Sequence, residues 1–368
     1  MKIAFIGQKG IELKEGAGGI ERHVFELSRG FASKGHDILV YVRPRFFDSE
    51  KKEEKNIKII PVLSIPTKNL DTFTYSLFAT LSVMREKVDV IHYHGIGPAT
   101  LAWIPRLFKR KSKVIVTFHS IDRLHSKWGV MARLFLRYAE WTAIKFPHAT
   151  IVVSHSIAKY CREKYNANTI YIPNGAIVEK YPGDNLISEW GLKCDGYILN
   201  VARLVKQKGI HFLIEAYARL DTDKKLVIVG APSFSEEYNK YIHELSQGNS
   251  DIIFTGFQKG KVLSQLYVNC YLYVQPSESE GLSMSVLEAM AAERCVLVSN
   301  IPENIESIDH AGLTFVSADV DDLQEKIEPL LNHPEIVEER GKKSKRWVEE
   351  NFNWEGIVEK TEKIYLKN

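Results

Sequence analysis

The chain reads as an α/β protein built from two doubly wound, parallel-sheet domains. Three observations predict this. Short apolar runs alternate with amphipathic helical stretches along nearly all 368 residues. The alternation pauses once, over a segment rich in proline and glycine, and then restarts. The length suffices for two separate cores.

In the first half the strand candidates are Ile3 to Ile6, Ile38 to Val42, Val90 to His92, Val114 to Thr117 and Thr150 to Val153. Helical patterns at Glu21 to Phe31, Leu70 to Arg85 and Val130 to Ile144 lie between them. Residues 173–191, with two prolines and three glycines, read as a linker region after a first domain of residues 1–172. Tyr197 to Val201, Leu226 to Val229, Ile252 to Thr255, Tyr271 to Val274 and Val296 to Ser299 form a second strand set, in a domain of residues 192–352. The last stretch, 353–368, is helical in pattern and follows the elements of the second domain.

Composition bounds the function. Hydrophobic residues make up 45% and charged residues 26%, as in a soluble globular protein. No apolar run nears the ~18 residues of a membrane span. Met1 to Gly7 is too short for a signal-peptide core and reads as a first strand. Cys161, Cys194, Cys270 and Cys295 show no CxxC spacing, which points to a reduced, cytoplasmic chain rather than a disulfide or zinc framework. The net charge of +3 divides unevenly, with +13 on residues 1–172 and −10 on 173–368. The basic half suits an anionic acceptor or membrane surface, against the plainer reading of a solvated charge bias. Nothing in the pattern points to nucleic acid.

The segment Ser277-Glu278-Ser279-Glu280-Gly281-Leu282-Ser283-Met284-Ser285-Val286-Leu287-Glu288 reads as the loop and helix that follow a buried strand ended by Pro276. Glu280 sits at the strand's C-terminal edge and Glu288 about two turns into the helix. Open α/β sheets bind ligands at such edges. Helix-start amides can hold phosphate, and carboxylates can accept from hydroxyls. Arg203 leaves another strand of this domain, and Lys208 precedes its next helix. Two such cations can converge on a diphosphate and stabilise it as it departs. The alternative for each is a solvated basic turn.

At the N-terminus Gly18-Gly19 opens a helix after the first strand, as a phosphate-approaching loop would, or as an ordinary turn would. A GxGxxG fingerprint is absent, which argues against a dinucleotide-binding dehydrogenase. Histidines gather at strand ends: His92, His94, His119 and His155. No HExxH or comparable spacing is present, so no metal site is expected.

Arg203 and Lys208 followed by Glu280-Gly281 and Leu287-Glu288-Ala289-Met290-Ala291 resemble the retaining glycosyltransferases of the GT-B fold, the large family four class. The resemblance spans nearly the whole chain. Gly18-Gly19, Thr117-Phe118-His119 and Ile172-Pro173-Asn174-Gly175 match further motifs of that family, and Trp354 to Tyr365 looks like its terminal helix returning to the first domain. The stretch His119 to Gly129 looks like a subgroup that builds bacterial surface polysaccharides, rhamnosyltransferases among them.

The resemblance implies two Rossmann-like domains facing across a cleft, the first binding acceptor and the second binding nucleotide sugar. It implies that Arg203 and Lys208 hold the diphosphate, Glu288 the ribose hydroxyls and Glu280 the donor sugar. Backbone amides of Gly281, Leu282 and Ser283 would contact phosphate and sugar, Phe257-Gln258 would border the base, and Gly18-Gly19 would lie on the donor side. His119 would touch the sugar near the reacting carbon, and His23 and Asp122 are acceptor-side candidates. The family's common Gly-Phe-Gly is Gly281-Leu282-Ser283 here, which affects donor choice more than activity.

The implied reaction moves a hexosyl or deoxyhexosyl unit from a nucleotide-diphosphate sugar to a saccharide or lipid-linked acceptor. It retains configuration and uses no cofactor or metal, because the cations serve the leaving group. No nucleophilic carboxylate is evident, which favours a same-face route over double displacement. A nucleotide-sugar epimerase on the same architecture is the alternative, and a non-catalytic binding protein is a further one. Trp103 to Lys113 mixes apolar bulk with five cations and could rest on an anionic leaflet, placing the protein at the inner face of the membrane, or it could be a solvated helix end.

Overall fold

The structure is a computed structural model that describes residues 1–11, 18–47, 55–67, 70–121, 129–178, 181, 183–232 and 236–367. The chain divides into two compact units, Met1–Asn174 with Trp354–Asn368, and Gly175–Asn353.

The first unit is a seven-stranded parallel sheet, ordered β3-β2-β1-β4-β5-β6-β7. Its strands are β1 (Lys2–Ile6), β2 (Asp37–Val42), β3 (Ile57–Pro61), β4 (Val90–His94), β5 (Lys113–Phe118), β6 (Ala149–Val152) and β7 (Ile170–Tyr171). Between them run α1 (Gly19–Ser33), α2 (Asp71–Val83), α3 (Ile96–Ala99), α4 (Trp103–Phe108), α5 (Val130–Lys145) and α6 (His155–Tyr165). β1 and β2 read as nearly unbroken apolar runs after their first residue because helices cover both faces of a parallel sheet. Ile3, Phe5, Val24, Leu27, Phe31, Ile38, Val40 and Ile357 share one buried core.

The second unit repeats the design with six strands, ordered β10-β9-β8-β11-β12-β13. These are β8 (Tyr197–Val201), β9 (Lys225–Val229), β10 (Ile252–Gly256), β11 (Leu272–Gln275), β12 (Cys295–Ser299) and β13 (Leu313–Phe315). Its helices are α7 (Ile210–Tyr217), α8 (Glu236–Leu245), α9 (Gly260–Asn269), α10 (Met284–Ala291), α11 (Pro302–Ile308), α12 (Val320–Asn332) and α13 (Pro334–Asn351). The core gathers Ile198, Leu226, Ile228, Leu272, Val274 and Leu297 from the strands with Leu213, Ile214, Leu323 and Ile327 from the helices. All strand pairs in both sheets are parallel.

The final helix, α14 (Trp354–Leu366), belongs to the first unit. Tyr365 stacks on Phe31 at 5.2 Å, and Val358 and Ile357 enter the first core. Three described residues of 173–191, the stretch read from sequence as a linker, make contacts within the second unit. Ala176 N–H donates to Phe352 O (2.8 Å), Leu186 N–H donates to Gln265 Oε1 (3.0 Å), and Ile187 is buried.

Three strands were not expected from sequence: β3, β7 and β13. Each is an edge strand. An edge strand pairs on one side only and can be short and partly polar, which removes the apolar run that marks a central strand.

No described helix is long and apolar enough to cross a membrane.

Candidate functional site

Both sheets reverse direction of growth at one place, between β1 and β4 in the first unit and between β8 and β11 in the second. Ligand crevices of open α/β sheets form outside the strand ends at that reversal. Arg203, Glu280 and Gly281 follow the strands of the second reversal, Gly18 and Gly19 follow β1 of the first, and each unit builds a different constellation there.

In the second unit the loops after β8 and β11 are stitched together. Gly209 has φ +64°, and a Cβ there would lie 1.9 Å from Pro276 O, so only glycine lets the loops approach this closely. Glu278 N–H then donates to Gln207 O (2.9 Å). This contact carries Lys208 to Glu280, 72 residues away, with Nζ to Oε1 at 2.5 Å. The pair is nearly dry, with side-chain exposures of 13% and 8%. Gln275 Nε2 donates to the same Glu280 oxygen (2.8 Å) and to Ser277 Oγ (2.7 Å), and Tyr273 Oη donates to Gln275 Oε1 (2.7 Å). Burial would raise the Glu280 pKa, but the Lys208 ammonium and the hydrogen bonds from Lys208, Ser277 and Gln275 outweigh it. The carboxyl is held below its ordinary range.

The other predicted residues of this unit surround that pair to different degrees. Arg203 follows β8, is exposed, and makes no ion pair among the described residues. Gly281 leads to Leu282 and Ser283, both buried, and Ser283 precedes the first turn of α10 with its Oγ 3.2 Å from Ser285 Oγ. Glu288 is half-buried on α10, beside Tyr267 of α9. Burial first, and the Glu288 carboxylate second, hold the Tyr267 phenol protonated. Phe257 and Gln258 lie past β10, half-buried, and Gln258 Nε2 donates to Thr255 O (2.8 Å). Lys208 is thus paired with Glu280, while Arg203 is exposed and makes no ion pair among the described residues.

The first unit gathers imidazoles. Gly7 ends β1 with φ +135°, and a Cβ there would meet His94 O at 2.1 Å, so β1 and β4 end in close contact. His94 ends β4, His119 follows β5, and His23 lies in the first turns of α1; their exposures are 0%, 7% and 3%. His94 Nδ1 lies 3.3 Å from His119 Nε2. The His23 ring is 5.4 Å from that of His94, 4.9 Å from that of His119 and 5.6 Å from that of Trp354. His92, one residue pair upstream, has both nitrogens engaged, by Tyr365 Oη (2.5 Å) and Thr117 Oγ1 (2.7 Å).

Burial lowers the pKa of all four histidines, and neighbouring imidazoles lower those of His92, His94 and His119 further. His23 falls to about 4, with a partly opposing hydrogen bond from Asn174. At neutral pH the cluster is uncharged and can donate or accept, but it supplies no positive field.

The glycine loop departs from its expected use. Gly18 and Gly19 do open α1, but Glu21, only 6% exposed, reaches back over them. Its carboxylate accepts from Gly18 N–H (2.7 Å) and Lys9 N–H (2.8 Å). The amide at Gly18 is thus taken by the chain's own acid rather than left for a phosphate. Sequence reasoning missed Glu21, although Gly18-x-x-Glu21 has the spacing of a capping box. It also left His94 out of the site, because nothing in sequence shows that it meets His23. His155 stands apart, stacked on Tyr171 at 3.9 Å. Asp122 lies outside the described residues.

Comparison with known proteins matches both halves of the chain to families. Residues 186–364 match the family described as "Glycosyl transferases group 1", and residues 17–180 match "Glycosyltransferase Family 4". An uncharacterized glycosyltransferase of Methanocaldococcus jannaschii is 28% identical over 95% of this chain and 94% of its own length. Among solved structures, sucrose-phosphate synthase from Thermosynechococcus elongatus superposes with a TM-score of 0.85 at 21% identity, covering 99% of this chain and 98% of that one. HepE of Anabaena in complex with UDP-glucose gives 0.81 at 20% identity, covering 99% and 98%. Two Rossmann-like parallel sheets and both family matches lead to one assignment: the chain belongs to the GT-B glycosyltransferases of the group 1 and family 4 superfamily.

Proposed function

We propose that this glycosyltransferase moves a hexosyl or deoxyhexosyl unit, with retention, from a nucleotide-diphosphate sugar to a saccharide or lipid-linked saccharide, in the synthesis of a surface polysaccharide or related glycan. The observation that carries the reading is the dry Lys208–Glu280 pair beside an open Arg203, at the reversal point of the second sheet. An ammonium has three donors and a carboxylate about four acceptor sites, so the pair keeps capacity on both sides. Lys208 retains N–H groups for a phosphate oxygen, and Glu280 retains lone pairs for sugar hydroxyls. Arg203 supplies the charge that the paired Lys208 does not.

In this reading Arg203, Lys208 and the first-turn amides of α10 stabilise the diphosphate as its bond to the sugar breaks. Glu288 accepts from the ribose hydroxyls, and Phe257 with Gln258 borders the base. Gly281, Leu282 and Ser283 line phosphate and sugar. His119 works at the donor sugar, and the neighbouring His23 serves the acceptor side. A departing phosphate oxygen takes the acceptor proton, so no metal or cofactor is needed. HepE of Anabaena, which binds UDP-glucose, supports a nucleotide-sugar donor.

The acceptor is proposed to sit at an anionic membrane surface. Helix α5 exposes Met131, Leu134, Phe135, Tyr138 and Trp141, spaced to lie on one face. Its exposed charges are Arg133, Arg137 and Lys145, whereas its one acid, Glu140, is buried. Phe73 of α2 meets Phe135 at 6.3 Å, and α2 adds exposed Leu70, Phe78 and Leu81. This is the pattern of an interfacial helix, apolar with cations alongside. It is carried by α2 and α5 as much as by the Trp103 to Lys113 segment, where Leu107 and Phe108 are exposed.

The test is a panel of UDP-, GDP- and dTDP-sugars screened by thermal shift, followed by NMR of the anomeric product. One nucleotide sugar should raise the melting temperature, and its transfer should give the retained anomer in the presence of EDTA. Strict Mg²⁺ dependence, an inverted product, or epimerised donor without acceptor overturns the reading. Sedimentation with vesicles containing phosphatidylglycerol should carry the protein down at low salt; failure removes the membrane part.

A further inference from the structure

We propose that His23, His94 and His119 form a binding site for a divalent cation of the zinc class, and that its occupancy inhibits transfer. One nitrogen from each ring lies within 4.8 Å of the other two, the one such group among the described residues.

The spacing fits. With Zn–N near 2.0–2.1 Å and tetrahedral angles, ligating nitrogens sit about 3.4 Å apart and imidazole centres about 5 Å apart. Here His94 Nδ1 and His119 Nε2 are 3.3 Å apart, and the three ring separations are 5.4, 4.9 and 5.6 Å. His23 Nδ1 is buried without a hydrogen-bond partner. Buried polar atoms are rarely left so, and an unmet group calls for an ion or other ligand. The Asn174 side chain hydrogen-bonds the His23 ring, the kind of outer partner that orients a metal ligand. His92 is no part of the set, since both its nitrogens are engaged.

The donor set selects the cation. Three imidazoles with no carboxylate disfavour Mg²⁺ and Ca²⁺, which demand oxygen, and favour Zn²⁺, Cu²⁺, Co²⁺ or Ni²⁺. Three protein ligands leave a fourth position open. The cation is not needed for turnover, because the cations Lys208 and Arg203 serve the leaving group. Its effect is to occupy His119. That inhibitory consequence rests on the assignment of His119 to the donor sugar, whereas the binding does not.

The experiment titrates the full-length protein with Co²⁺, read by visible d–d absorption, and with Zn²⁺ against a competing chromophoric chelator. One equivalent should bind with tetrahedral cobalt bands. His94→Ala and His23→Gln should each weaken binding at least about a hundredfold, since even loss of an outer-shell partner costs 10–100-fold. His155→Ala, at an unrelated exposed histidine, should not. Both cluster variants are checked for folding by the first unit's own thermal transition. Absence of cobalt bands, or affinity unchanged in both folded variants, overturns the site. Zinc should also stop transfer, and EDTA should restore it. Bound zinc with full turnover overturns the inhibitory half and the role of His119 together.

Discussion

The two units share a strand order and place their polar residues at the same reversal of the sheet, yet one fills it with neutral imidazoles and the other with an ion pair. The difference follows from what surrounds each group. Glu280 remains charged in a dry site because Lys208 is 2.5 Å away and Gln275 and Ser277 complete its hydrogen bonds. Burial is the largest influence on each histidine, and no carboxylate among the described residues offsets it, so burial drives them to the neutral form. One topology thus yields a charged site in one unit and a neutral one in the other.

The largest effects come from removing one cation of the second unit's site. Arg203→Ala should lower kcat about 10²–10³-fold, the cost of losing one fixed donor to a developing anion, measured under donor saturation. Lys208→Ala should destabilise the second unit by about 3–5 kcal/mol, because a buried carboxylate is left alone. A Lys208→Met/Glu280→Gln double variant should recover much of that in urea denaturation while remaining inactive. Recovery of activity would break the contrast.

The two strand-end glycines test whether each site depends on its own close approach. Gly209→Ala and Gly7→Ala place a Cβ 1.9 and 2.1 Å from a backbone oxygen. Each should cost about 1–3 kcal/mol or more, on the scale of other forced backbone conformations. Gly209→Ala should impair nucleotide binding, and Gly7→Ala should disturb the imidazole cluster, as read by histidine NMR shifts.

Acid should separate the units. The folded-state pKa of His23 is lowered to about 4. As pH falls, the unfolded chain binds the proton first, so this stability is whole above about 6.5 and is lost toward 4. For the metal-free protein, His23 alone removes about 2 kcal/mol by about pH 5, or roughly 4–8 °C of melting temperature. His92, packed among Thr117, Tyr365, Phe5 and the other imidazoles, acts in the same direction. The Glu280 contribution has the opposite reference: it is present above the ordinary carboxyl value of 4.5 and lost only as pH falls through the lowered one. The first unit should therefore unfold before the second between about pH 6 and 5, with tryptophan fluorescence and nucleotide-protected stability as separate readouts.

The smallest effect is expected at Tyr365→Phe, which leaves His92 Nδ1 without its partner at a cost of about 1–2 kcal/mol, confined to the first unit's thermal transition.

Much of this was legible in the order of residues. The central strands announce themselves because a parallel strand covered on both faces must be apolar throughout. Glu280, Gly281 and Glu288 could be placed on one strand-loop-helix because their spacing is local. Legibility failed for particular reasons elsewhere. β3, β7 and β13 are edges and lack the buried run. Glu21 reads in sequence only as the start of a helical pattern, yet it folds back onto Gly18 and Lys9. Lys208 looked like a free cation because its partner lies 72 residues away.

The sequence by itself determined two α/β units, the local strand-loop-helix bearing Glu280 and Glu288, and the kinds of side chain available at strand ends. Hydrophobic periodicity and turn chemistry act over a few residues, and these features need nothing longer. Only the tertiary structure decided that Lys208 pairs with Glu280 and that three histidines, on α1, at the end of β4 and just after β5, form one buried cluster. Those outcomes depend on which strands become neighbours and on how closely their ends approach at Gly209 and Gly7. Burial then decides protonation, turning the same exposed-looking residues into a charged pair in one unit and a neutral cluster in the other.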